Sequence, residues 1–120
     1  MVRKVKAFLV TLCLLFAAEA TAISGNEWKQ LSQTARVYYV MGVLDGWDNL
    51  GNLISRTNPN QQLSVVTNHA KLVNCVAGMT HSQIAAIVQK YMENNPARWH
   101  SAMTLLVWLA LYEVCESTSK

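Results

Sequence analysis

The residues in this chain that could do chemistry are few: three histidines, an acid pair at Asp45 and Asp48, and three cysteines. Histidines hold zinc when a His-x-x-x-His or similar spacing turns them toward one ion, with cysteine or carboxylate completing the shell. His69, His81 and His100 have no such spacing. Asp45 and Asp48 would share one side of a helix and resemble the two carboxylates of a general acid–base pair. A solvated face, or an ion pair with Arg36 or Arg56, is the simpler account of them. No serine sits in a Gly-x-Ser-x-Gly turn and no glycine-rich loop opens a helix, so neither an acyl-transfer nucleophile nor a phosphate cradle is written here. The chain is therefore expected not to be an enzyme and to call for no metal and no cofactor. Hydrolysis that depended on Asp45 or His100 would argue otherwise.

Chemistry being scarce, the elements that carry these residues come next. The chain has 120 residues, 52% of them hydrophobic and 14% charged, which suits one small domain and excludes a disordered tail. Its formal charge is +3, yet Arg3, Lys4 and Lys6 crowd the start, followed by an apolar run from Ala7 to Ala18 and small residues at Ala20-Thr21-Ala22. These are the three parts of a secretory signal, with cleavage expected after Ala22 or, as the alternative, after Ala20. The apolar run is about a dozen residues, short of the roughly 20 that span a bilayer. The expected organisation is thus a signal peptide over 1–22 and a helical domain over 23–120. Removing the signal leaves a balance of about +1, which provides no basic stripe for nucleic acid and no reason for membrane attachment.

Cysteine counting follows the same cut. Cys13 leaves with the signal, and Cys75 and Cys115 remain. Export places the domain in an oxidising compartment, where one bridge is the natural pairing and two free buried thiols are the alternative. A closed loop of about 40 residues would stabilise the domain by about 4 kcal/mol in the chain-entropy model.

The periodicity of the rest is helical, with no convincing strand. Ser24-Gly25-Asn26-Glu27 has capping-box spacing and is expected to open a first helix. Trp28, Leu31, Ala35, Tyr38, Tyr39 and Val43 then recur at helical steps on a face that continues toward Leu50 and Leu53. Gly42 and Gly46, four apart, each cost about 1 kcal/mol against alanine and suggest that another helix approaches there, a break at Gly46 being the alternative. Ser55 to Gln62 reads as a loop. Leu63 to Val76 suits a short second helix. Thr80-His81-Ser82-Gln83 repeats the capping-box spacing and opens a third helix running to about Asn94. Asn95-Pro96 is expected to end it and begin a fourth, carrying Trp99, Met103, Leu106, Ala110 and Val114 on one stripe. Leu105 to Tyr112 is apolar all round, so this last helix is either central or offers a second apolar face to a partner. The fold class is all-α: a small compact bundle of four or so helices stapled by one disulfide.

Surface is what the sequence offers in place of chemistry. Four tryptophans are many for so small a core, and tryptophan is over-represented at binding hot spots. Trp47, amid Asp45, Gly46, Asp48 and Asn49, is expected to be partly exposed. The following polar loop, with Asn58, Pro59, Asn60 and Gln61, could reach into a partner's cleft.

Three stretches together resemble a known family. They are Arg36-Val37-Tyr38-Tyr39-Val40-Met41-Gly42-Val43-Leu44-Asp45-Gly46; Cys75-Val76-Ala77-Gly78-Met79-Thr80 with Gln83, Ile87-Val88, Lys90-Tyr91 and Asn95-Pro96; and Trp99-His100 leading to an apolar helix that ends at Cys115. From roughly Gly25 to Cys115 the chain resembles the Rap/Tai-type immunity family, small periplasmic helical proteins that protect bacteria from cell-wall amidases delivered by type VI secretion. The resemblance implies a bundle with a Cys75 to Cys115 disulfide, often a homodimer, that plugs the active-site groove of a toxin amidase. Under it Trp47, Asn58, Pro59, Asn60 and Gln61 are the expected contacts. The second reading is a small periplasmic acid-stress chaperone, against which the small number of carboxylates argues, since few groups could drive an acid switch.

Overall fold

The computed structural model describes residues 22–57 and 64–118. The expected signal peptide, apart from its last residue, lies outside them. The first element, α1 (Gly25–Trp28), forms where the capping box lies: the Ser24 hydroxyl accepts from the Glu27 amide at 3.4 Å, and the Glu27 carboxylate accepts from the Ser24 amide at 2.6 Å. The helix expected to continue from there toward Leu53 does not. It stops after one turn and restarts as α2 (Gln33–Thr57), where the Ser32 hydroxyl accepts from the Ala35 amide at 3.2 Å and so acts as a second N-cap. Arg36 seals the break. Its Nε donates to the Trp28 carbonyl at 3.2 Å, one terminal nitrogen donates to the Lys29 carbonyl at 2.8 Å, and the other to Gln89 Oε1 at 2.9 Å. The Leu31 amide also donates to the Trp28 carbonyl, at 3.0 Å, so a backbone turn and the Arg36 side chain together satisfy the end of α1.

The restart resets the helical phase, and this corrects the expected apolar stripe. Trp28 and Tyr38 lie on different helices, so their spacing does not place them on one face. The inward line of α2 centres on fully buried Val40, with Val37, Val43, Leu44 and Trp47 packed beside it. Leu50 and Leu53 stand about 80° and 140° around the helix from Val40 at 100° per residue. They are accordingly exposed, at 54% and 58%, as is Tyr38 at 67%. The helix runs unbroken through Gly42 and Gly46, and no described glycine has a positive φ.

Two further helices lie where the sequence puts them. α3 (Ser64–Val76) lies at the expected place, whereas the loop expected from Ser55 to Gln62 is still helix over Ser55–Thr57 and lies outside the described residues beyond that; α4 (His81–Asn94) opens with the Thr80 and Gln83 capping box, whose two hydrogen bonds are 2.7 and 3.2 Å. The next boundary differs from expectation. Pro96–Arg98 makes only a single 3₁₀ turn, and the last helix, α5 (Met103–Ser117), begins seven residues after Pro96. The side chains expected to start a helix are spent on finishing one: Asn95 Nδ2 donates to the Tyr91 carbonyl at 2.8 Å, and Trp99 Nε1 donates to the Met92 carbonyl at 2.7 Å. Both close the C-terminal end of α4, and the Asn95 side chain caps neither the 3₁₀ turn nor α5.

The stretch thus left outside a helix has a use. Ser24 and Ala102 form an isolated antiparallel bridge, flanked by bonds from the Gly25 amide to the Ser101 carbonyl at 3.1 Å, the Asn26 amide to the Trp99 carbonyl at 2.9 Å, and the Met103 amide to the Ile23 carbonyl at 2.8 Å. These bonds satisfy the first amides of both α1 and α5 and seat α1 in the gap before α5. Gly25 makes this possible. A Cβ there would stand 2.6 Å from Met92 Cε, 2.9 Å from Leu106 Cδ1 and 3.0 Å from the Trp99 Cα, so only glycine fits.

The four longer helices close a ring of contacts: α2 packs on α3 and α4, and α5 packs on the same two from the other side. The core inside the ring comprises Trp28, Val40, Leu72, Ile84, Val88, Met92, Met103, Leu106, Val107 and Leu111 with smaller neighbours. Trp28 is wholly buried and still satisfied, its Nε1 donating to Gln89 Oε1 at 3.2 Å. The architecture is all-α, with five α-helices and no strand among the described residues. The Cys75–Cys115 disulfide staples the end of α3 to the end of α5. No helix among the described residues is long and apolar enough to cross a membrane.

Candidate functional site

Trp47 is half-buried on α2, its ring edge-to-face with Trp108 of α5 at 5.4 Å and with His69 of α3 at 6.5 Å. Three helices therefore fix its rotamer, while one side of it remains open. With Tyr38, Tyr39, Gly42, Val43 and Gly46 of α2 and Thr104 of α5 it lines an open groove of 430 Å³. A Cβ on Gly42 or on Gly46 would meet nothing within 4 Å. The close approach expected at these glycines is thus not made by any described helix of this chain, and the space above them belongs to the groove. Burial pushes the Tyr39 phenol above its ordinary pKa, so its hydroxyl stays protonated and available as a donor through the neutral range.

Among the described residues no charged side chain lines the groove, and its hydroxyls are those of Tyr38, Tyr39 and Thr104. Its means are aromatic faces, apolar area and hydroxyls, which suit recognition. Asp45 and Asp48 lie on the exposed side of α2, where Asp48 accepts a long 3.5 Å bond from Asn52. Arg36, one expected partner for them, is committed to carbonyls and Gln89 instead. Among the described residues no three His, Cys, Asp or Glu side chains gather closely enough to hold a metal ion.

The apolar last helix combines the two arrangements expected as alternatives. One side of α5 is buried through Met103, Leu106, Val107, Ala110 and Leu111, and the other leaves Leu105 and Tyr112 about half exposed, at 50% and 45%. Of the contacts expected from sequence, Trp47 lies in the groove, whereas Asn58, Pro59, Asn60 and Gln61 fall outside the described residues. Of the residues expected on a core face, Tyr39 and Val43 pack against the core and also line the groove, whereas Tyr38 is exposed and lines the groove only. The four-residue spacing of Gly42 and Gly46 is the signal that marks this groove in the sequence.

A model of the Rap1a immunity proteins matches residues 6–114 of the chain. No curated protein and no solved structure matches it. The matched span contains every helix described above except the last turn of α5, including the Arg36 seal, the α4 capping box and Cys75 of the bridge, so the groove around Trp47 is borne on a framework of that kind. The chain belongs to the Rap1a immunity protein family.

Proposed function

We propose that the protein is exported to the periplasm by a signal peptide over 1–22 and there blocks a peptidoglycan amidase toxin, of the kind delivered by type VI secretion, by occluding its active-site cleft. Membership of an immunity family implies a toxin partner. The observation that carries the mode of binding is the preformed groove around Trp47: a partly open tryptophan held by two ring contacts, beside two glycines with open space where a Cβ would stand. Such an anchor loses little freedom on binding, so its contact area converts efficiently into affinity. Trp47 is the anchor in this reading, and Asn58, Pro59, Asn60 and Gln61 carry the adjacent polar contacts into the cleft. Inhibition then needs no chemistry from the immunity protein itself.

The test is to produce the domain over 23–120 with an exported amidase encoded beside it, and to measure co-purification and residual peptidoglycan cleavage. Stable association with loss of cleavage is expected. Trp47→Ala should weaken association by at least about tenfold, as for a central hot spot, with the melting temperature monitored separately. Absence of any association with the neighbouring amidase would overturn the reading. Turnover of peptidoglycan by the domain alone would do the same.

A further inference from the structure

The Cys75–Cys115 bridge stands at the edge of the core and not inside it. Both cysteines are half-buried, Cys115 packs against the core cluster, and both line a cavity of 650 Å³ formed by the second half of α3 and the last turns of α5. The bond is therefore reached from solvent without parting the helices that it joins. Its surroundings are also unequal. Lys71, one turn before Cys75 on the same side of α3, lines this cavity and is exposed, whereas Cys115 is followed by exposed Glu116, which lines it from α5. Thiol–disulfide exchange is carried by a thiolate, whose negative charge is drawn by the ammonium and repelled by the carboxylate. Access and charge select the same sulfur, Cys75 Sγ, because the core covers one side of Cys115.

We propose that this cavity is a site of thiol–disulfide exchange in the folded protein, and that its co-reactant is a small thiol bearing an anionic group. The entering thiolate attacks Cys75 Sγ and forms a new S–S bond to it. The Cys75–Cys115 bond breaks, and its electron pair leaves on Cys115 Sγ, which takes a proton from water. A second thiolate then attacks the reagent's own sulfur and releases Cys75, which is protonated in turn. Two reagent thiols are thereby oxidised to one disulfide, and the bridge is reduced by two electrons. Leu72 and Val76 of α3, with Val107, Ala110 and Leu111 of α5, stay in the core throughout, so the exchange unties two helix ends without opening the fold. The cavity shares no lining residue with the groove at Trp47, and the inference does not depend on toxin binding.

The experiment follows opening of the bridge in the oxidised protein by mercaptoethanesulfonate and by cysteamine, an anionic and a cationic thiol of similar size, compared at equal thiolate concentration. Acid quench, maleimide labelling and mass spectrometry locate the products. The rate should be first order in thiolate and change by less than about twofold on adding about 1 M urea, whereas exchange gated by global unfolding would rise about fivefold or more. The sulfonate thiol should react faster than cysteamine. Lys71→Gln should slow the sulfonate thiol by about twofold or more and leave cysteamine unslowed, as expected for one exposed charge contact. Glu116→Gln, read in the opposite direction, should speed the sulfonate thiol. At early times the reagent should be found on Cys75 and the maleimide on Cys115. A rate that climbs with urea as the unfolded population does would overturn the proposal. So would preference for cysteamine, adducts mainly on Cys115, insensitivity of the sulfonate thiol to Lys71→Gln, or its slowing in Glu116→Gln. Both variants change exposed side chains, and each rate is read on the folded oxidised protein, so stability lost after reduction does not enter the result.

Discussion

A methyl group on Gly25 has nowhere to go, because one of its three close neighbours is the Trp99 backbone and cannot rotate away. Gly25→Ala is therefore expected to lower stability by about 1–3 kcal/mol, the usual penalty for overpacking, read as a lower urea midpoint. Gly42→Ala and Gly46→Ala should behave oppositely, each raising stability by up to about 1 kcal/mol because the added methyl improves helix propensity in open space. If the groove is the toxin-binding surface, the same two changes should weaken toxin binding while strengthening the fold. Glu27 gives a prediction in pH. The Ser24 amide and hydroxyl hold its carboxyl below the ordinary glutamate range, so the stabilisation is fully present above that range and is lost as pH falls through the lowered value. Glu27→Gln should flatten this acid limb in a series of melting curves. At this scale the sequence is partly legible. Helix cost alone draws attention to Gly42 and Gly46, whereas Gly25 is hidden inside a capping box, where glycine is ordinary.

The elements are legible where a local signal is complete and misread where one residue has two possible employers. Thr80 and Gln83 satisfy each other within four residues, so α4 begins where its letters say. Asn95 could cap forward or close backward, and the choice depends on Trp99, whose indole takes the neighbouring carbonyl of α4. Trp99 also receives the Lys29 ammonium 3.2 Å from its ring centroid, which ties α1 to the same corner. Trp99→Phe, which keeps an aromatic ring and removes the donor, should cost about 1–2 kcal/mol from the lost hydrogen bond and the weaker cation–π contact. The break between α1 and α2 follows the same logic. Ser32 is one serine among polar neighbours until Arg36 is seen to gather the Trp28 and Lys29 carbonyls. Arg36→Lys retains the charge but cannot serve three acceptors in a plane, and is expected to lower stability by about 2 kcal/mol with α1 fraying first. Hydrogen exchange at the Gln30 and Leu31 amides would report it.

Across the whole molecule the Cys75–Cys115 bridge joins the two helices that flank α4 in the chain. Cysteine counting makes this pairing legible before any geometry does once Cys13 is set aside with the expected signal peptide, since two cysteines then form one bridge. Reduction, or Cys75→Ser with Cys115→Ser, should lower stability by up to about 4 kcal/mol in the chain-entropy model, measured as the denaturation midpoint with and without reductant. The native oxidised protein should titrate no thiol from this pair. Less legible is the joining of residues 23–26 to residues 99–103, because backbone bonds between distant irregular segments leave no periodicity to read. That seam governs how the protein is made. Its two sides lie far apart in the chain, so a growing polypeptide lacks the partner for its own opening turn until residues 99–103 have been made. Docking of that opening turn is consequently a late step, and a chain caught midway stays unlatched.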